Sequence, residues 1–339
     1  MGASGGDEEP SVRRGSSSVC FARVEEIVKT RATRRSPYDP PSKMLSLSTR
    51  AIARRGATLA DALRTGRELG FKAVSIPLAG PAPRAGAIAA AQAETGSRVA
   101  SLRAGCLDGE GNGRQPTEEL GSLDDGKRAR ALAAARDHVA LAKAVGCGVV
   151  VIDGGAVEGA GLDDRVRRLE GEVDRGAEPG ELLEEIRISA ERTRLAHLDK
   201  LCRSLHELVR RHDGLRFALL VAARPHGIAT ARTLDDVLDD LKASNLSAWI
   251  DVGRAKTAER LGGPPVADLL AAFAPRLAGV DLHDARGLAE HLAPGDGEVD
   301  WRAVAENVPA GALRVLDLDG GAAPAAIVEI RRVVESLGL

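Results

Sequence analysis

Carboxylates and imidazoles recur at one kind of place in this chain, the end of a short apolar run. Ala248-Trp249-Ile250 leads into Asp251, with Arg254 three residues on. Ala278-Gly279-Val280 leads into Asp281, Leu282, His283 and Asp284. Val315-Leu316 leads into Asp317 and then Asp319, while Leu219-Leu220-Val221 leads towards Arg224 and His226. Side chains alternate along a strand, so Asp281 and His283 share one face. An imidazole whose ordinary pKa is about 6.5, set beside carboxylates, is equipment for moving protons near neutral pH. Each residue also has a plainer role: Asp251 as a helix cap, His283 as a tie to loop backbone, Arg224 and His226 as surface-loop residues.

The elements that would position these groups alternate along the chain. Strands are predicted at Leu45–Ser48, Ala73–Pro77, Val99–Arg103, Val149–Asp153, Arg216–Val221, Ala248–Asp251, Ala278–Leu282 and Arg314–Asp317. Helical segments fall between them: Thr58–Leu69, capped by Thr58 and ended by Gly70, then Arg84–Thr95, 124–145, Thr233–Leu241, Val266–Phe273, Trp301–Asn307 and Pro324–Leu337. Residues 154–215 read as a charged insertion followed by a long helical region ending near Arg211. Residues 285–300 read as a Gly/Pro-rich loop. Strict strand–helix alternation predicts an α/β protein, a parallel eight-stranded (β/α)8 barrel, over residues 44–339. A doubly wound sheet is disfavoured because no GxGxxG follows the first strand. In such a barrel the chemistry sits at the carboxyl ends of the strands, where the Asp and His residues fall.

Composition narrows the classes. Hydrophobic residues make up 44% and aromatics only 2%, so the core must be built from Ala, Val, Leu and Ile. Scarce aromatics and a net charge of −2 argue against a nucleic-acid partner. No apolar run reaches the ~20 residues of a membrane helix. The dispersed Cys20, Cys106, Cys147 and Cys202 form no CxxC pair, which fits reduced thiols in a cytoplasmic protein. Residues 1–43 are rich in Gly, Ser, Pro and Arg and read as a disordered extension. Met44 stands immediately before the first strand, which favours an over-long start over a regulatory tail.

The order Asp281-Leu282-His283-Asp284, Pro294-Gly295-Asp296-Gly297, Val299-Asp300-Trp301 resembles the strand–HxxD–PGxG–vD stretch of the xylose isomerase-like TIM barrels, the sugar phosphate isomerase/epimerase superfamily. Trp249-Ile250-Asp251-Val252-Gly253-Arg254 resembles that family's W-x-D-x-G-H. The resemblance implies a divalent metal held at four strand ends. Here they fall at Ala222, Asp251, Asp281 and Asp317, with Asp319 the alternative to Asp317. Asp281 stands in place of the family's His and Ala222 in place of its Glu. Three Asp ligands would favour Mn²⁺ or Mg²⁺ over Zn²⁺.

On that reading the protein is a sugar or sugar-phosphate isomerase or epimerase acting on a small polyhydroxylated substrate by proton or hydride transfer. Asp251 and His283 would be catalytic, and Arg254, His226 and Asp284 would bind substrate. The alternative is a barrel that has lost the metal and binds a carbohydrate-like ligand, with Arg254 pairing Asp251, Asp281 or both. An endonuclease of the related DNA-repair barrels would need more His ligands and a more basic chain. The implied partners are a small carbohydrate-like molecule and a second copy of the chain, with neither nucleic acid nor membrane.

Overall fold

Continuously apolar runs such as Val149-Val150-Val151-Ile152 are suited to strands covered on both faces, and they form the staves of a closed parallel barrel. The structure is a computed structural model and describes residues 44–52, 58–77, 85–104 and 119–339. The extension expected over residues 1–43 lies outside the described residues. The strands are β1 (Leu45–Ser48), β2 (Ala73–Pro77), β3 (Arg98–Ala104), β4 (Val149–Asp153), β5 (Arg216–Leu220), β6 (Leu246–Asp251) and β7 (Leu277–Leu282). A short antiparallel hairpin follows, β8 (Asp284–Arg286) and β9 (Ala289–Leu292), and then β10 (Leu313–Leu316). Around the barrel the order is β1-β10-β7-β6-β5-β4-β3-β2, so β10 closes the ring onto β1.

The helices are α1 (Leu59–Glu68), α2 (Ala85–Thr95), α3 (Asp125–Ala144), α4 (Leu162–Asp174), α5 (Gly180–Arg211), α6 (Ala231–Leu241), α7 (Val252–Arg260), α8 (Val266–Phe273), α9 (Trp301–Asn307) and α10 (Pro324–Ser336). Local chemistry sets their starts. Thr58 and Asp61 form a reciprocal capping box on α1, Asp124 caps α3, and Asp300 caps α9. The charged insertion contains α4 and the 32-residue α5, which pack on each other. Among the described residues no helix is long and apolar enough to cross a membrane. Cys147 and Cys202 are free thiols, whereas Cys20 and Cys106 lie outside the described residues.

Two apolar clusters divide the core. The larger lies between the strands and the helices, and the smaller fills the barrel with Val149, Val151, Ala218, Leu220, Trp249, Ala278, Leu313 and Val315. Strand register carries the interior face around the ring: Val315 is level with Ser46, and Val149 with Ser101, which is level with Ser75. Small buried serines therefore line the interior on the β1–β3 side, with the Ser75 and Ser101 hydroxyls 2.5 Å apart. Bulk is concentrated opposite them in the Trp249 indole. Room for it comes from Gly279 on the neighbouring strand, where an added Cβ would lie 2.3 Å from Trp249 Cζ3 and 2.9 Å from Leu313 Cβ.

The architecture follows the sequence expectation, with two local departures. A helix, α7, begins directly after β6 because Asp251 caps it, and no break signal separates strand from helix. The stretch read as a loop after β7 contains the β8–β9 hairpin, turned at Gly287 with φ +58°. Gly279→Ala is expected to destabilise the protein by about 1–3 kcal/mol through overpacking against Trp249. Urea denaturation followed by tryptophan fluorescence measures it; an unchanged midpoint would mean that the indole does not depend on this glycine.

Candidate functional site

Strand register brings the carboxylates together. Asp251 at the end of β6 is level with Asp281 on β7, and Asp281 is level with Val315 on β10. Asp317 lies two residues beyond Val315, on the same face, and its backbone N–H donates to Leu282 O at 3.1 Å. Asp251, Asp281 and Asp317 are all buried, with relative exposures of 3%, 4% and 2%. Three buried carboxylates in one place repel one another and must be compensated.

Compensation comes first from Arg103 on β3. Its Nη2 makes a very close ion pair with Asp281 Oδ2 and lies 3.6 Å from Asp251 Oδ2. Trp249 Nε1–H donates to the same Asp281 oxygen at 2.9 Å. His283 Nε2 is 2.6 Å from Asp251 Oδ1, which also accepts the Arg254 backbone N–H at 3.0 Å. The cap role and the site role of Asp251 thus coexist on a single oxygen. On the far side, Arg50 Nε is 3.5 Å from Asp317 Oδ1 and His291 Nδ1 is 3.6 Å from Asp317 Oδ2. Among the described residues two buried carboxylate oxygens, Asp251 Oδ2 and Asp317 Oδ1, accept no hydrogen bond.

These surroundings drive the protonation states apart. Burial opposes charge on Asp251, but the His283 imidazolium outweighs it and, with Arg254 and Arg103, holds Asp251 well below the usual carboxylate range. Burial raises Asp281 to about 7; Arg103 opposes the rise, and the negative charges of Asp251 and Asp317 reinforce it. For His283, burial favours the neutral ring, yet the Asp251 carboxylate pushes its pKa up to about 9. His291 is lowered, by burial and then by repulsion from His283.

The β8–β9 hairpin folds back over this cluster. His283 Nδ1 lies 2.9 Å from the His291 backbone nitrogen, from which the neutral ring accepts, and 3.2 Å from Asp284 O, to which the imidazolium donates. The two rings lie with centroids 4.2 Å apart, tilted by 33°. His291 takes a left-handed backbone, φ +61°, a conformation that costs a non-glycine residue of order 1 kcal/mol or more. Its carbonyl accepts the Asp319 N–H at 3.2 Å, which ties the hairpin to the segment after β10. Gly253 supplies the floor: an added Cβ there would lie 2.1 Å from the His283 ring. The glycine after Asp251 is therefore a packing requirement of the imidazole.

The sequence-derived residues separate into two groups. Asp251, Asp281, His283 and Asp317 converge. Asp284, expected to bind substrate, is fully buried and spends both oxygens on the loop. Oδ1 accepts from Ala285 N and Val299 N, and Oδ2 from Gly295 N and Trp301 Nε1, at 2.8–3.0 Å. His226 is buried against Asp163, 3.3 Å away. Arg254, expected to pair with Asp251 or Asp281, directs its guanidinium to Glu290 at 3.5 Å and Asp153 at 4.0 Å, and touches Asp251 through its backbone N–H. Arg103 takes the place expected of Arg254, because an inward position on β3 reaches across the barrel and α7 turns Arg254 away. Arg103, His291, Arg50 and Trp249 were not singled out from sequence. An inward-facing Arg at the end of an apolar strand was the available signal for the first.

The fit of a divalent cation is a question of donors. At the four positions implied by the family, Ala222 offers none. Its methyl lies under the following loop, where a Cβ on Gly227 would come within 2.2 Å of it. A guanidinium already sits against Asp281 and Asp251. His283, His291 and Asp317 each place a donor atom within 4.8 Å of the others and could hold an ion. Both nitrogens of His283 are engaged within the protein, so an ion there would displace one of these contacts. The family-position set is thus compromised by Ala222 and Arg103, whereas His283, His291 and Asp317 form a candidate ion site of different composition. A cavity of about 510 Å³ opens beside β6, lined by Arg194, Val221, Ala222, Ile250, Asp251 and Leu261, so Asp251 borders it while Asp281, His283 and Asp317 do not.

The chain belongs to the xylose isomerase-like TIM barrel family, whose model matches residues 63–310. No curated protein matches the sequence. Among solved structures it is similar to a D-tagatose 3-epimerase-like protein, with a TM-score of 0.62 and 16% identity over 87% of this chain and 96% of that one. It is similar to an L-ribulose 3-epimerase, with a TM-score of 0.62 and 13% identity over 87% and 95%. It is also similar to 3-keto-D-glucoside 4-epimerase from E. coli, with a TM-score of 0.60 and 15% identity over 86% and 99%. At such identities the likeness establishes the fold alone.

Because the folded protein holds the His283 proton up to about pH 9 and the unfolded chain releases it near 6.5, the Asp251–His283 pair is fully stabilising below 6.5. That contribution is lost as pH rises from 6.5 through 9, at no more than about 1.4 kcal/mol per pH unit. Denaturant titrations across this window should show wild type losing stability faster than His283→Gln. Parallel slopes would mean that His283 is uncharged in the fold.

Proposed function

We propose that the protein binds a small polyhydroxylated carbohydrate at the carboxyl end of the barrel and isomerises or epimerises it by proton transfer next to a carbonyl. The observation that carries this reading is the pair of buried oxygens, Asp251 Oδ2 and Asp317 Oδ1, that accept no hydrogen bond among the described residues and have only an arginine 3.5–3.6 Å away, in a cluster whose protonation states are driven apart. Membership of a family whose structural neighbours include sugar epimerases supports it. Buried carboxylate oxygens that accept no hydrogen bond from the protein are acceptors for substrate hydroxyls or for a carbon-bound proton. Asp251 is held ionised and can act as a base, while Asp281, raised towards neutrality, can hold a proton for return; such a split defines acid and base assignments. His283 has both nitrogens engaged and is fully buried, so its role is to orient and charge-balance Asp251. His291, partly exposed and with a lowered pKa, presents a neutral imidazole beside Asp317.

A second reading, ligand binding without turnover, is favoured by Ala222, which removes the family's carboxylate at that position, and by the Arg103–Asp281 contact, which occupies the position of the family's His. Incubation with a panel of free ketoses and ketose phosphates in D₂O, followed by NMR, separates the two. On the first reading deuterium appears at the carbon beside the carbonyl, and Asp251→Asn or Asp317→Asn slows it by about 10²–10⁴-fold. Saturable sugar binding with no exchange for any member would leave only the second.

A further inference from the structure

We propose that the Arg103 guanidinium takes the place of the family's divalent cation, so that the carboxylate cluster is complete without a metal ion. The inference rests on the reading that Asp251, Asp281 and Asp317 form the ligand site, but it concerns what balances their charge and not whether the ligand reacts.

Three independent features converge on it. Arg103 approaches the cluster from β3, across the barrel from β6 and β7, and its Nη2 bridges Asp281 Oδ2 and Asp251 Oδ2. Its charge is held in place by four carboxylates, Asp281, Asp251, Asp317 and Asp153, which together outweigh the cost of burying it. A second cation a few ångströms from this guanidinium would meet repulsion in a low-dielectric site. The donor set has changed in the same sense. Ala222 supplies no ligand, and the loop over its methyl approaches too closely at Gly227 for either residue to grow. Asp281 replaces a neutral imidazole with a carboxylate, which pairs with the Arg103 guanidinium. Trp249 Nε1–H then fixes the Asp281 carboxylate from the other side.

A guanidinium does part of what a cation does. It neutralises carboxylates and presents several N–H donors in a rigid fork that can hold adjacent oxygens. Among the described residues both carboxylate pairs of Arg103 run through Nη2, which leaves Nη1 and Nε for a ligand. Its side chain retains 18% exposure, so the fork is reachable from the mouth of the barrel.

The test is metal binding, which reads out independently of turnover. Chelator-treated wild-type protein is titrated with MnCl₂, MgCl₂ and ZnCl₂ by calorimetry, and its melting temperature is recorded with and without EDTA. The expected result is no saturable uptake and no change with chelator. Arg103→Met, which keeps the stem and removes the charge, should bind Mn²⁺ at least about tenfold more tightly than wild type. Arg103→Lys should remain metal-free. Stoichiometric, EDTA-sensitive binding of any of these ions by wild type would overturn the proposal, whether or not His291→Gln abolishes it. So would a folded Arg103→Met with no gain. If Arg103→Met fails to fold, the wild-type titration still decides. A protein inactive on every carbohydrate yet indifferent to metal would defeat the proposed reaction and leave this inference standing.

Discussion

Everything at the carboxyl end of this barrel depends on how three buried carboxylates are kept from repelling one another. Asp251, Asp281 and Asp317 are brought together by strand register, which follows from the hydrogen-bonding of the barrel and not from any attraction between them. Breaking one partner from a buried charge typically costs about 3–5 kcal/mol, so the compensating groups are as much a part of the fold as the strands. Arg103 serves Asp281, His283 serves Asp251, and Arg50 with His291 flanks Asp317. The glycines at 253 and 279 make sense only in this light. One admits the imidazole that neutralises Asp251, and the other admits the indole that donates to Asp281.

The same constraint explains why the hairpin after β7 matters. A loop of Gly and Pro residues over a charged cluster would leave it open to water, where screening would weaken every pair. Asp284 prevents this by gathering four N–H donors from residues 285–301 onto one carboxylate, with Gly297 packed so closely that a Cβ would lie 2.2 Å from its Oδ1. The loop's shape is therefore specified by a buried anion. It carries His291 to the ring of His283 at the expense of a left-handed backbone.

How much of this was legible in the sequence depended on whether a residue's partner was near it in the chain. Asp251, Asp281, His283 and Asp317 could be read because each ends an apolar run, and strand ends are where a barrel exposes side chains. The strand limits were legible for the same reason. Arg103 was not, because an arginine at the end of β3 looks the same whether it points to solvent or across the barrel at residues some 178 positions away. Arg254 was expected to pair with Asp251 or Asp281; because capping by Asp251 starts α7 at once, its guanidinium reaches Glu290 and Asp153, and it acts on Asp251 through its backbone N–H and its charge. His291 was hidden by a hairpin too short to show alternation, although Gly287-Leu288 is the kind of two-residue turn that positive φ at its first position permits.

These partners bear on what the cluster can do chemically. Burial and the charges of Asp251 and Asp317 raise Asp281 to about 7 against the pull of Arg103, while His283, with Arg254 and Arg103, keeps Asp251 ionised. Unequal compensation is what separates an acid from a base among chemically identical groups. The departures from the family pattern at Ala222 and Asp281 thus need not mark decay of a metal centre. On the proposal that Arg103 stands where a cation would, they describe a differently balanced site, whose carboxylates are made unequal by fixed side chains.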